Sequence, residues 1–450
     1  MYIRRNIDKT LLEWGEAKHF KPVLLRGVRQ CGKTSTVRKL AESFDNYIEL
    51  NLERDRSLHK LFGGDIDINL ILTKLELKNS KRIQDDNTLI FIDEIQECPR
   101  AITALRYFYE ERPGLHVIAA GSLLEFALNG SSRNTPKVDF PVGRVRSIYM
   151  YPFSFTEFLA GSGNDSLARY LADFQIGAQE NIAHKELIDI YKTFLIVGGM
   201  PEAISEYIAS GSILACQQIH RDIILNFLDD FNKYSPNVPS DIIRAVFDYA
   251  MHNVCSQTKA SSAINGVSGY YFDECVNLLR CAGLLYPVKA TSCETIPLRA
   301  SEKETNKKLL VFDSGVYLTM CGLDTGSMLG AEIFDDLNKG DVVEMQTGLE
   351  LIKARNPYAE PSLHYWYKSG ANAEIDYVIA SGSKLIPIEV KASNKGSMQS
   401  MYVFLNSHSN ADYGLRVSLE DFTSYDNIRV CPVYAVGKAA DCLVPCSVIR

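Results

Sequence analysis

Gly27, Val28, Arg29, Gln30, Cys31, Gly32, Lys33 and Thr34 spell G-x-x-x-x-G-K-T, and Ser35 follows. Each residue type in that run has a chemical use. Glycines let backbone N–H groups curl around phosphate oxygens, and a helix N-terminus behind them adds a favourable dipole. The Lys33 ammonium has the reach for β- and γ-phosphates, and the Thr34 hydroxyl can ligate Mg²⁺. A second pair of residues completes the chemistry. Asp93 and Glu94 end the apolar run 88–92. Asp93 suits an acid that holds Mg²⁺ through water, and Glu94 suits the residue that polarises an attacking water. Ser122, after the run 116–120, reads as a small polar group beside a γ-phosphate or as a plain turn serine. Arg144 reads as a cation reaching a γ-phosphate, in its own subunit or a neighbour's, or as a surface arginine where a strand begins.

These residues need elements to hold them. Short β-branched runs at 22–25, 47–51, 88–92, 116–119 and 147–151 alternate with helical stretches, including 35–44 behind the glycine loop. That alternation predicts a parallel sheet with crossover helices. Ligands bind such sheets beyond the carboxyl ends of the strands, where 27–34 and Asp93 fall.

A second constellation lies near the other end. The runs 374–379 and 384–391 read as a hairpin around 381–383. Alternation places Glu374, Asp376 and Val378 on one face, and Glu389 with Lys391 on one face of its partner. Asp followed by Glu-x-Lys on a paired strand resembles the PD-(D/E)XK nuclease core. The resemblance implies that Asp376 and Glu389 hold Mg²⁺, that Lys391 orients or activates water, and that Glu344, on the helical run 341–354, supplies an additional acid. A salt-bridged strand pair explains the same spacing.

Along the whole chain the sequence resembles the prokaryotic AAA+ ATPases that carry a C-terminal extension. The matching segments occur in order: 26–34, 91–96, Ala120-Gly121-Ser122, Gly143-Arg144, 151–158, 198–202 and 388–391. Family members often have Thr where this chain has Ala120. The resemblance implies a phosphate-loop strand near the Asp93 strand, and a winged-helix module in the middle. Runs at 241–253, 261–267 and 270–282, then a strand, fit that outline. The third run opens Gly269-Tyr270-Tyr271-Phe272-Asp273-Glu274, aromatic and acidic, which favours protein contact or structure over DNA reading. The turn 198–202 reads as a helix stop.

Composition bounds the rest. A chain of 450 residues is too long for one ordinary core, and 46% hydrophobic with 23% charged residues is globular. A net charge of −7 gives no global basic field for nucleic acid. The 11 cysteines form no Cys-x-x-Cys pair and read as reduced thiols, and no secretory or membrane-spanning run is found, so a cytoplasmic protein is expected. The expected fold class is α/β: a P-loop ATPase sheet at 1–160, a helical segment at 161–235, a winged-helix-like domain at 236–320 and a nuclease-like domain at 321–450. The expected function is ATP and Mg²⁺ binding with hydrolysis coupled to conformational change. An ATP-regulated nuclease and a nucleotide-dependent interaction switch are the alternatives, with a protein partner or self-association as the expected contacts.

Overall fold

A computed structural model describes residues 2–121, 139–173, 181–234, 238–322, 339–368, 370, 373–392 and 396–437. The five expected strands form as β1 (Val23–Arg26), β2 (Asn46–Asn51), β3 (Thr88–Asp93), β4 (His116–Gly121) and β5 (Arg146–Tyr149). They make one parallel sheet in the order β2-β3-β4-β1-β5. β4 therefore sits between the glycine-loop strand and the Asp93 strand. Both faces of the central strands β3, β4 and β1 are covered, which is why these read as unbroken apolar runs, while the edge strands β2 and β5 keep polar residues. Val23 and Leu25 point to one core, while Leu24, Ile90, Ile92, Val117 and Ala119 point to another. The first face is closed by α1 (Asn6–Gly15) and α2 (Lys33–Ala41), the second by α3 (Ile68–Asn79) and α4 (Pro99–Glu111).

A helical stretch follows: α5 (Phe155–Gly161), α6 (Asp165–Asp173), α7 (His184–Val197), α8 (Pro201–Ser210), α9 (Ile213–Tyr234), α10 (Ser240–His252) and α11 (Gly269–Cys281). Where the run 261–267 predicts a helix, only a 3-10 turn at Ala260–Ser262 forms. Asn265-Gly266, with Gly266 at φ +82°, stops the turn there.

The remaining strands form a second, mixed sheet in the order β12-β13-β11-β10-β9-β8-β6-β7. They are β6 (Leu285–Thr291), β7 (Glu302–Val311), β8 (Leu363–Lys368), β9 (Ala373–Ser381), β10 (Lys384–Lys391), β11 (Gly414–Ser418), β12 (Thr423–Tyr425) and β13 (Ile428–Pro432). The strands after α11 thus do not close a small separate module. β6 pairs with β8 in parallel, so the sheet runs through the expected boundary near residue 320. It curls around α13 (Lys339–Lys353), with α12 (Ser314–Met320) and α14 (Gln399–Ser407) alongside. The curl is tight. A Cβ at Gly348 of α13 would lie 2.5 Å from Leu310 Cδ1 of β7 and 2.6 Å from the Tyr377 hydroxyl of β9. No helix among the described residues is long and apolar enough to cross a membrane.

Candidate functional site

Gly27 to Gly32 leave β1 at its carboxyl end and turn directly into α2. Gly32 caps that helix at φ +98°, a left-handed position that glycine takes without strain. A Cβ at Gly27 would lie 2.3 Å from Met150 O, so that position admits no side chain. Cys31 is fully buried beneath the loop and Val28 nearly so, which anchors the turn in the core. Ser35 lies exposed in the first turn of α2. Lys33 is 7% exposed and donates to Gly27 O at 2.8 Å and Val28 O at 3.0 Å. Its ammonium thus sits over the loop, held by carbonyls that a phosphate can replace.

β3 brings Asp93 to the same place. Thr34 Oγ1 donates to Asp93 Oδ2 at 3.0 Å, and Asn51 Nδ2 lies 3.4 Å from the same oxygen. Burial, and then the charge of Glu94, push the Asp93 carboxyl above the usual carboxylate range. A bound cation relieves that cost. The hydroxyl, the acid and the glycine cradle therefore suit Mg²⁺ with a nucleotide phosphate. Glu94 follows in the left-handed region at φ +49°, where the chain turns sharply out of the strand. Gln96 Nε2 donates to Glu94 Oε2 at 2.6 Å. Sequence reasoning assigned Gln96 no role. Its position two residues after Glu94 was the available signal. Gly121 at the end of β4 leaves room for it, because a Cβ there would lie 2.2 Å from Gln96 Oε1.

Of the two remaining expected residues, one is described and stands apart from this constellation. Ser122 lies outside the described residues. Arg144 precedes β5, which runs parallel to β1 with Arg146 opposite Val23 and Tyr149 opposite Arg26. It therefore stands at the amino edge of the sheet, whereas the glycine loop leaves the carboxyl edge. It pairs with Glu110 at 2.9 Å, and so does not reach the phosphate loop of its own chain.

The helical stretch surrounds the loop. Arg29 pairs with Asp230 of α9 at 2.5 Å, and Asp230 is 3% exposed. A Cβ at Gly283, after α11, would lie 3.1 Å from Val28 N. A Cβ at Gly32 would meet Pro201 Cγ at 3.6 Å, which places the 198–202 turn against the loop. That turn is pinned from behind by Gly199 N donating to Asp313 Oδ2 at 2.6 Å.

The second constellation also assembles, with an additional member. Glu344 of α13 and Asp376 of β9 converge, but on Lys308 Nζ of β7, at 2.8 and 3.3 Å. Glu374 pairs with the same ammonium. The other Asp376 oxygen accepts from Val390 N at 2.8 Å. Glu389 pairs with Lys391 at 2.7 Å, and its Oε2 is buried without a hydrogen-bond partner. Val378 leaves the expected face and packs with Ile375, because the register opposite shifts between His364 and Trp366. Burial, then Asp376, push the Glu344 carboxyl up to about 8, against the pull of Lys308. Among the described residues no group of three or more His, Cys, Asp or Glu side chains is set to hold a metal ion. These residues as arranged do not suit the Mg²⁺ that the nuclease resemblance implies.

Away from the loop, α11 and β6-β7 border a polar cleft of about 490 Å³. Two charged side chains of α11 are paired there, Asp273 with Lys307 and Arg280 with Glu360 at 2.5 Å. Nothing in this helix favours nucleic acid.

Residues 19–159 match the family model of an AAA domain. Residues 188–327 and 339–436 match two domains of unknown function, DUF8612 and DUF4143. No curated protein matches the chain. Among solved structures, a Walker-type ATPase of Pyrococcus abyssi is 14% identical with a TM-score of 0.43, over 71% of this chain and 96% of that one. A signal transduction ATPase with numerous domains and a tetratricopeptide repeat sensor, from Pyrococcus horikoshii, is 14% identical with a TM-score of 0.28, over 79% of this chain and 46% of that one. The AAA-domain match spans the sheet that carries the glycine loop, so that part of the chain is similar to an AAA domain.

Proposed function

We propose that the chain binds Mg-ATP on the loop from Gly27 to Ser35, hydrolyses it, and transmits the change to its helical and C-terminal parts. The observation that carries the reading is the meeting of Thr34 Oγ1 and Asp93 Oδ2 at 3.0 Å, across three neighbouring strands of one sheet. Mg²⁺, when bound, supplies positive charge to the β- and γ-phosphates. Thr34 and Asp93 are the residues that would hold it. Backbone N–H groups of the loop and of the first turn of α2 receive phosphate oxygens. Lys33 leaves the carbonyls of Gly27 and Val28 for the phosphate charge. Glu94 orients a water and takes its proton, and Gln96 fixes the direction of that carboxylate.

The coupling rests on groups that touch the loop from outside it. Arg29 is held by Asp230 on α9. Farther along that helix, His220 bonds Val197 O at the end of α7 and Thr319 on α12. α13 grips the segment after β5, with Lys353 Nζ donating to Phe153 O at 2.9 Å and Glu350 accepting from Phe155 N. A shift of the loop on nucleotide binding therefore bears on both the helical part and the curled sheet. The C-terminal part has a helix, three antiparallel strands, a helix and a fourth strand parallel to the third, an order that supports a nuclease-like fold. Its chemistry supports the interaction-switch reading over cleavage, because the acids are already paired.

Lys33→Ala is the direct test of binding. ATP should raise the melting temperature of the parent chain, and the variant should lose most of that rise. A folded variant with undiminished stabilisation by ATP would place the nucleotide elsewhere.

A further inference from the structure

The acid cluster of the curled sheet has the composition of a metal site and the occupancy of an ion-pair node. Glu344, Glu374 and Asp376 come from α13 and β9 and share one ammonium, Lys308 Nζ, whose side chain is 2% exposed. Lys308 is delivered from β7, separated from β9 in the sheet by β6 and β8. Only the curl around α13 brings it there, and the ring of Tyr365 on β8 faces it with its centroid 5.3 Å away. A charged amine buried this deeply is unstable without partners. Here it has three carboxylates. The reverse also holds: three acids so close repel one another unless a cation sits among them. The nearby Lys391 does not serve, since it is engaged by Glu389.

We propose that Lys308 is the resident cation of this cluster, standing where a nuclease-like fold holds a divalent metal, so that the C-terminal part is built as a metal-independent scaffold. Several features agree with a permanent occupant. The ammonium is inside hydrogen-bond range of Glu344 Oε1 at 2.8 Å. Asp376 spends its second oxygen on the backbone of β10. Gln257 Nε2 donates to the second oxygen of Glu374. The acid atoms that a metal would need are thus distributed among protein donors. Divalent oxygen ligation takes six or more donors around the ion, several of them water, and the buried ammonium occupies the shared position.

The experiment uses the full chain without nucleotide and Mn²⁺ as the probe. Bound Mn²⁺ is counted by electron paramagnetic resonance in the parent, Asp376→Asn, Lys308→Met and the double variant. Methionine keeps the length and apolar stem of lysine and removes the charge. The parent and Asp376→Asn should bind the same amount of Mn²⁺, whatever the nucleotide loop contributes. Lys308→Met should gain one ion per chain, and the double variant should lose it again. Mn²⁺ bound by the parent and lost in Asp376→Asn would overturn the proposal. A folded Lys308→Met that gains no ion would overturn it too, since the acids would then have no latent metal geometry. If Lys308→Met does not fold, the comparison of the parent with Asp376→Asn decides: equal Mn²⁺ supports a resident ammonium, and a difference of one ion refutes it.

Discussion

Individual side chains around the loop are set by close packing, and substitutions should reveal it. Gly121 is compressed against Gln96, and through Gln96 against Glu94. Gly121→Ala forces that side chain aside, an overpacking that should cost about 1–3 kcal/mol. Denaturant unfolding should show the loss, with a slower ATP turnover beside it. Unchanged unfolding would mean that Gln96 is free to move and does not fix Glu94. His220 gives a pH dependence. Burial holds its imidazole below the usual range, against the pull of Asp313. Unfolded histidine titrates near about 6.5, so on acidification the unfolded chain takes up the proton first. The stability that neutral His220 contributes is therefore present above about pH 6.5 and is lost as the pH falls through the lower folded value. His220→Gln should make the melting temperature fall less steeply between about pH 7 and 5 than it does in the parent. An identical slope would assign the acid sensitivity to other groups.

At the scale of elements, much was readable in advance and some was not. The central strands of the first sheet stood out because both of their faces are covered, leaving unbroken apolar runs. The glycine loop and Asp93-Glu94 stood out because their spacing is local. For Arg144 the sequence leaves two readings open, a phosphate cation or a surface arginine where a strand begins, and the direction of the parallel strand, which sets the edge at which its first residue stands, favours the second within its own chain. Lys308 had no local signal at all: its three carboxylate partners lie between 36 and 68 residues away and meet it only because the sheet curls. The segments 151–158 and 198–202 were visible as motifs without chemistry. Their use is packing, the first against α13 and the second between the loop and Asp313. The contact of Arg29 with α9 is the one that most directly joins loop and helix. Arg29→Ala and Asp230→Asn should each change ATP-induced stabilisation, and the double variant should do little more than either. A coupling of about 0.5–3 kcal/mol is the scale for residues in contact. Strictly additive effects would remove this pair from the path between nucleotide and helices.

The whole molecule is less divisible than its sequence suggests. One core cluster runs from α1 and β1 through the helices to β10 and β13. A fragment starting at residue 340 lacks β6 and β7, so it exposes one edge of β8 and leaves Glu344, Glu374 and Asp376 without Lys308. Removing one partner from a buried charge set typically costs about 3–5 kcal/mol, enough to unfold a small domain. That fragment should be proteolytically labile and lack cooperative melting. A cooperatively folded fragment would show that β6 and β7 belong elsewhere. If the loop and β3 form a hydrolytic Mg-ATP site, Glu94→Gln should separate turnover from binding. ATP turnover and ATP affinity would be measured together on the parent and the variant. Affinity should be retained while turnover falls by roughly two to four orders of magnitude, the scale of a lost general base. Turnover at the parent rate, in a variant that still binds ATP, would contradict this.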